Sequence, residues 1–355
     1  MKVDGTWRRA IEAEPDRRSV RVLDQQRLPY DVAWVRLATL DDAAAAIRDM
    51  TIRGAPLIGA TAAYGVALAA AADPDSIARA CEVLAATRPT AINLLWALGE
   101  VAGSLETVAV SDRAAVAWQR AGALCDEEVA RCEAIGRHGV ALLREIATRT
   151  AGPVRVLTHC NAGWLATVDW GTALAPIYRA HEDGIPIHVW VDETRPRNQG
   201  LLTAWELAQH GIPHTLIADN AGGHLMQRGE VDVCIVGTDR TTRTGDVCNK
   251  IGTYLKALAA RAAGIPFYVA APSPSIDWTI ADSGDIPIEE RSGDEVRFVT
   301  GRASGGEAVR VEIVPATTQV YNPAFDVTPA ALVTGIITER GTATPAGLAA
   351  LFPER

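Results

Sequence analysis

The sequence predicts an α/β protein. A mainly helical N-terminal domain with a small β element, residues 1–150, is followed by a domain built on a mostly parallel, doubly wound sheet, residues 151–355. Three observations carry this. Apolar residues recur at helical spacing through the first part of the chain. Beyond it, short β-rich runs alternate with helical stretches, as they do where helices connect parallel strands. Finally, Gly-Ile-Pro recurs at Gly184, Gly211 and Gly264, just ahead of three such runs, where Gly closes a helix and Pro blocks its continuation.

In chain order, Val20–Leu23 and Ala33–Leu37 are short apolar runs suited to the β element. Residues 41–50 (DDAAAAIRDM), 76–86, 90–108 and 112–149 read as helices. Ala55–Ala72 carries no charge and is long enough to raise the question of a membrane span. It is mostly Ala, Gly and Thr, with Pro56 near its start and Tyr64 at its middle, and such residues gain little on transfer to lipid. It therefore reads as a closely packed, buried helix. TRTAGP, at 148–153, breaks the last long helix and marks the domain boundary. After it, Val154–Thr158, Ile187–Val191, His214–Ala218, Val231–Val236, Pro266–Ala270 and Val309–Val314 read as strands. Helices such as Leu202–His210 and Tyr254–Ala263 lie between them.

The net charge of −9 argues against a general nucleic-acid binder, which needs a basic footprint. It leaves room for a small anion held by a few converging cations. The six cysteines, Cys81, Cys125, Cys132, Cys160, Cys234 and Cys248, form no CxxC pair and no zinc-ligand spacing. The start, MKVDGTWRRAIEAEPDRR, has no apolar signal-peptide core, so free thiols in a reducing cytoplasm are expected. No two-carboxylate cluster or His pair stands at ligand spacing, so no metal is expected. No GxGxxG follows the first strand of the second domain, so no nucleotide cofactor is expected either.

Open parallel sheets bind ligands beyond the carboxyl ends of their strands. Here those ends are followed by Thr158-His159-Cys160-Asn161-Ala162-Gly163, then Asp192 to Gly200, Asp219-Asn220, Gly237-Thr238-Asp239-Arg240, Gly245 to Lys250, and Ala271-Pro272. Ordinary solvated loops seldom gather so many Cys, Asn, Asp and Gly residues at successive strand ends, which points to a site. Asp239 follows a very apolar strand, where desolvation would raise a carboxyl pKa. Cys160 ends the first strand, although most cysteines are inert and buried. His159 neighbours Cys160, and adjacent strand residues face opposite ways, so His159 reads as structural. Glu193, Asp219 and Asp246 share the edge, and Asp246 could bind hydroxyls or brace its loop. Arg53, in Arg53-Gly54-Ala55-Pro56, and Arg88, before Pro89, each precede a helix, whose N-terminus adds N–H donors and a favourable dipole for an anion.

The segments DQQRLP (24–29), TIRGAPLIGATAAYG (51–65), TRPTAINLLWAL (87–98), THCNAGWLAT (158–167), ETRPRNQGLLTAWEL (193–207), VGTDRTTRTGDVCNKIGTY (236–254) and IPFYVAAP (265–272) span most of the chain. In this order the chain resembles the methylthioribose-1-phosphate isomerase family, within the wider family that includes the alpha, beta and delta subunits of translation initiation factor 2B. The resemblance implies a Rossmann-like second domain, a homodimer, and a cytoplasmic isomerase of the methionine salvage pathway. It implies conversion of an aldose 1-phosphate, 5-methylthioribose 1-phosphate above all, into the ketose 1-phosphate, with no cofactor and no metal. Related substrates would be 5-deoxyribose 1-phosphate or ribose 1,5-bisphosphate, and a regulatory subunit without catalysis is the alternative from another class.

By the same resemblance Asp239 is the proton donor, and Cys160 assists proton transfer or stabilises the transition state. The phosphate falls to Arg53, Gly54, Ala55, Arg88 and Lys250, where Arg offers a planar fork and Lys a compact charge. Gln199 and Asn249 are implied as further substrate contacts. A 1-phosphate blocks the anomeric oxygen, so the ring must open with C1 still phosphorylated, and a protonated carboxyl near the ring oxygen would serve. An enolate route and a hydride shift both remain open at this level. The chain departs from many relatives at Thr238, at Thr244 and in the loop 273–277, which bears on the pocket for the 5′ substituent. Trp164, Trp190 and Trp205 are candidates for that pocket but read better as core.

Overall fold

The computed structural model describes all 355 residues. The chain opens with a short hairpin, β1 (Lys2–Val3) and β2 (Thr6–Trp7), and an antiparallel three-stranded sheet of β3 (Ile11–Ala13), β4 (Val20–Leu23) and β5 (Trp34–Leu37). The two apolar runs read from the sequence are β4 and β5. Five helices follow: α1 (Leu40–Arg48), α2 (Ala55–Ala72), α3 (Ile77–Ala85), α4 (Ile92–Leu105) and α5 (Arg113–Ala147). A capping box starts α1: the Thr39 hydroxyl accepts from the Asp42 N–H, and the Asp42 carboxylate accepts from the Thr39 N–H.

Helix α2 is apolar on every side, which suits a helix surrounded by protein. It is long and apolar enough to cross a membrane, yet 83% of it is buried within the fold, against α4 and α5 among others. Its glycines allow close approach. A Cβ on Gly59 would lie 2.9 Å from the Asn93 carbonyl of α4, and one on Gly65 would lie 3.0 Å from Leu84 of α3.

The second half runs β6 (Val154–Thr158), α6 (Ala175–Glu182), β7 (Ile187–Asp192), α7 (Gln199–Gln209), β8 (His214–Ile217), α8 (Ala221–Gln227) and β9 (Val233–Val236). Then come β10 (Arg240–Thr242), β11 (Val247–Lys250), α9 (Thr253–Ala263), β12 (Phe267–Ala270), β13 (Ile276–Asp277), α10 (Asp294–Arg297), β14 (Phe298–Arg302), β15 (Ala308–Glu312), β16 (Phe325–Thr328), β17 (Gly335–Thr338) and β18 (Gly341–Ala343). The main sheet has the order β18-β17-β12-β9-β6-β7-β8, parallel throughout except for β18. A side sheet, β13-β10-β11-β16, carries the segments after β9.

The α/β class and the parallel sheet are as the sequence predicts. The last predicted strand is not. Val309–Val314 lies largely in β15, which pairs antiparallel with β14 in a hairpin apart from the main sheet. The turn Ser304-Gly305-Gly306 between two β-branched runs favours local pairing, and most of β15 is exposed, unlike a strand covered on both faces. The place at the sheet edge is taken by β17, whose four residues are all buried, and by β18. One apolar core of 57 residues extends from Met1 to Ile337 and joins the helices to the sheet.

Leu57 of α2 is completely buried in that core. Leu57→Ala is expected to lower unfolding stability by about 2–5 kcal/mol, seen as a shifted urea midpoint with an unchanged slope.

Candidate active site

Between β6 and β9 the sheet reverses its strand order. The chain proceeds outward from β6 to β7 and β8, then returns to place β9 on the other side of β6. Such a switch leaves a crevice at the carboxyl ends of the two strands. β6 and β9 are direct neighbours, with Leu157 opposite Cys234, so their ends deliver Cys160 and Asp239 to the same crevice. A single cavity there is lined by Arg53, Gly54, Ala55, Arg88, Cys160, Gln199, Asp239, Asn249 and Lys250, the residues to which the resemblance gives a catalytic or substrate-binding part, whereas Glu193, Asp219 and Asp246 do not line it.

The N-terminus of α2 opens into this cavity. Gly54 precedes the helix at φ 96°, and a Cβ on it would lie 2.3 Å from the Ala166 carbonyl oxygen, so both conformation and space require glycine. Arg53 donates through both Nη atoms to Asn161, to Oδ1 and, at 2.7 Å, to the backbone carbonyl. Arg88 pairs with Glu289 at 2.9 Å, while its Nε is buried without a partner. Lys250 donates to the Ala324 carbonyl at 2.9 Å, and its Nζ lies 4.3 Å from the centre of the Phe325 ring. Each cation keeps donors for an anion. Gln199 Oε1 is likewise buried and unpaired, whereas Asn249 already donates to Thr253 Oγ1 at 3.0 Å.

Burial raises the Asp239 carboxyl above its ordinary range, against the opposing pull of Lys250, Arg53 and Arg88. Burial also raises the Cys160 thiol, with Arg53 and Lys250 opposing. The same burial lowers Lys250, and Cys160 and Asp239 counter it. These groups therefore sense one another within one poorly hydrated space. Cys160 stands at φ 69°, a left-handed conformation unusual for a residue with a side chain.

His159 borders the cavity beside Cys160, but both its ring nitrogens are engaged elsewhere. Its Nδ1 lies 2.9 Å from Asp192 Oδ2 and its Nε2 lies 2.8 Å from the Ile251 carbonyl. His159, Asp192 and Asp219 form a group of metal-ligand types that the linear spacing did not reveal. The Lys256 ammonium stands among them, 3.2 Å from Asp192 Oδ2 and bonded to the Asp219 carbonyl, and takes the place of a cation. Asp219 holds the strand-end loop by accepting from the Thr194 and Arg195 N–H groups. Asp246 braces its loop by accepting from Ala330 N at 2.8 Å. Trp164 is fully buried, the Trp190 indole donates to the Glu230 carbonyl, and neither these nor Trp205 line the cavity. Thr238 and Ser275 do line it, and Thr244 does not.

Sequence reasoning missed Asn161, Arg197 and the ion-pair ladder beside the cavity. In that ladder Arg88 meets Glu289, Glu289 meets Arg291, Arg291 meets Glu295, and Glu295 meets Arg197. Asn161 was within reach, since it directly follows Cys160 in THCNAGWLAT. The ladder gave no signal, because its acidic members, Glu289 in an irregular stretch and Glu295 in the short helix α10, lie far along the chain from Arg88 and Arg197.

Residues 51–345 match the Initiation factor 2 subunit family. Over its whole length the chain is 62% identical to the methylthioribose-1-phosphate isomerase of Methylorubrum populi, covering 99% of that protein. It is 59% identical to the enzyme of that name from Rhodospirillum rubrum, covering 94% of it. The fold is similar to the crystal structure of 5-methylthioribose 1-phosphate isomerase from Pyrococcus horikoshii OT3, with a TM-score of 0.84, 40% identity, and 98% and 97% of the two chains covered. It is also similar to a structure described as translation initiation factor eIF-2B, subunit delta, from A. fulgidus, with a TM-score of 0.79, 39% identity, and 97% and 98% covered. The chain belongs to the Initiation factor 2 subunit family, and within it stands beside the methylthioribose-1-phosphate isomerases.

Proposed function

We infer that this chain is an aldose–ketose isomerase that converts 5-methylthioribose 1-phosphate into 5-methylthioribulose 1-phosphate. The observation that carries the reading is the convergence of three cations, a thiol and a poorly hydrated carboxyl on one cavity. Relatives of that name at about 60% identity over the full chain support it. The phosphate sits against Arg53, Arg88, Lys250 and the first N–H groups of α2. Gln199 and Asn249 contact the sugar.

Asp239 gives its proton to the ring oxygen as the bond from that oxygen to C1 breaks. C1, still carrying the phosphate, becomes electron-poor. The hydrogen on C2 then moves to C1 with its electron pair, while the C2 hydroxyl proton passes to the Asp239 carboxylate. The product has a ketone at C2 and a phosphorylated CH₂ at C1, and Asp239 regains its proton. The hydride route is favoured because burial keeps the Cys160 thiol neutral, and a neutral thiol is a poor base. Cys160 instead stabilises the passing charge beside C1 and C2.

A second cavity adjoins the first through Met50, Arg53, Arg197 and Gln199 and is partly lined by Leu28, Tyr30, Leu202, Phe298 and Val299. Arg197 and Arg310 there are already paired with Glu295 and Asp294. Apolar side chains on part of its wall, and the pairing of Arg197 and Arg310 with carboxylates, support an uncharged 5′ substituent over a second phosphate. The chain works in the cytoplasm as a homodimer, with its helical N-terminal domain and Rossmann-like domain meeting near residue 150.

Purified protein should turn over 5-methylthioribose 1-phosphate with a higher kcat/KM than 5-deoxyribose 1-phosphate or ribose 1,5-bisphosphate. Turnover of none of the three would return the chain to the non-catalytic subunits. Asp239→Asn should lower kcat roughly 10²–10⁴-fold while substrate still binds. Because the acid acts when protonated, kcat/KM should fall as pH rises through the Asp239 pKa, above the ordinary carboxyl range. Substrate deuterated at C2 should give product that keeps the label at C1 in ordinary water, and complete washout would point to exchange through a base. Light scattering should give twice the chain mass.

A further inference from the structure

Helix α7 turns one face toward the site, carrying Gln199, Thr203 and Glu206 at helical spacing, all buried. A threonine inside a helix often bonds back to the carbonyl four residues earlier. Thr203 reaches outward instead. Its hydroxyl donates to the Cys160 carbonyl at 2.9 Å and accepts from Asn161 Nδ2 at 3.1 Å. One hydroxyl proton is thus committed to Cys160, and the oxygen is committed to Asn161.

Asn161 Nδ2 also donates to Glu206 Oε1 at 2.8 Å. A guanidinium only donates, so the amide nitrogen must face α7 and Asn161 Oδ1 must face Arg53. There Oδ1 and the Asn161 carbonyl receive both Nη atoms of Arg53. On the other side, the Cys160 N–H is held by Thr194 Oγ1 at 2.8 Å, so hydroxyls grip both backbone polar groups of the left-handed cysteine.

We propose that Thr203 is a positioning residue whose single hydroxyl sets the Cys160 thiol and, through Asn161, the Arg53 guanidinium at a fixed spacing across the substrate. The inference rests on the isomerase reading of the site. It makes α7 the common support of a reacting group and a phosphate ligand that come from opposite halves of the chain.

The test compares Thr203→Val with Thr203→Ser. Valine keeps the shape and removes both hydrogen bonds, while serine keeps the hydroxyl and loses a methyl. Thr203→Val should lower kcat roughly ten- to a hundredfold, as expected when reacting groups shift by a fraction of an ångström to an ångström, and should raise KM. Thr203→Ser should recover most of the kcat. Equal kcat in the two variants, or a serine variant as impaired as the valine one, would overturn the proposal, because the hydroxyl would then not be what matters. Should Thr203→Val fail to fold, Thr203→Ala carries the same expectation. Calorimetry with inorganic phosphate gives a readout independent of turnover: weaker binding in Thr203→Val and not in Thr203→Ser supports the proposal, and unchanged binding in Thr203→Val overturns it. A wild-type chain inactive on every sugar phosphate would sink the isomerase reading alone.

Discussion

The pairing of β6 with β9 is the contact on which the rest of the molecule depends. Two parallel strands, aligned with Val156 against Val233 and Leu157 against Cys234, end side by side at the point where the sheet changes direction. Their ends then place a thiol and a carboxyl in one crevice without any special loop. A slip of one residue between them would turn every side chain of a strand to the other face. The complete burial of β9 makes such a slip costly, so the geometry of the site is fixed by the core beneath it.

The second condition is electrostatic. On the proposed reading, a chain of net charge −9 holds a doubly charged phosphate, and local arrangement is what supports this. Arg53, Arg88 and Lys250 come from a loop before α2, a loop before α4 and the end of β11, and they meet only in the fold. Around them, carboxylates are kept occupied. Burial alone would raise Glu295, yet Arg291 and Arg197 hold it down at about 2. Beneath the site, Lys256 and Asp192 form a nearly solvent-free pair next to His159. A buried pair of this kind adds little net stability, but removing one partner leaves a stranded charge. The cluster reads best as the device that keeps the floor of the crevice rigid.

Much of this was legible in the sequence. The helices of the first half were readable because their apolar spacing is regular, and α2 because its residues are small and uncharged throughout. Asp239 was readable because it follows an apolar strand, and the cations because each sits in a recognisable segment. The misplacement of Val309–Val314 came from treating β-branched residues as evidence for the main sheet, when its exposed hairpin needs only a local turn. The supports of the site were illegible for a different reason. Thr203 and Glu206 look like ordinary helix residues, and their meaning lies in Cys160 and Asn161, some forty positions away. Linear spacing carries no trace of such a contact.

Helix α2 also bears on how the chain is made. It ends at residue 72, but α5, one of its principal covers, is not complete until residue 147, a lag of 75 residues (147 − 72). At ordinary ribosomal speeds of about 5–20 residues per second, the helix waits roughly 4–15 seconds for its shelter. During that interval the nascent chain displays a segment with mean hydropathy of 1.6, which a targeting factor could mistake for a membrane anchor. Its makeup of alanine, glycine and threonine in place of leucine and phenylalanine keeps it packable later while giving that machinery little to grasp.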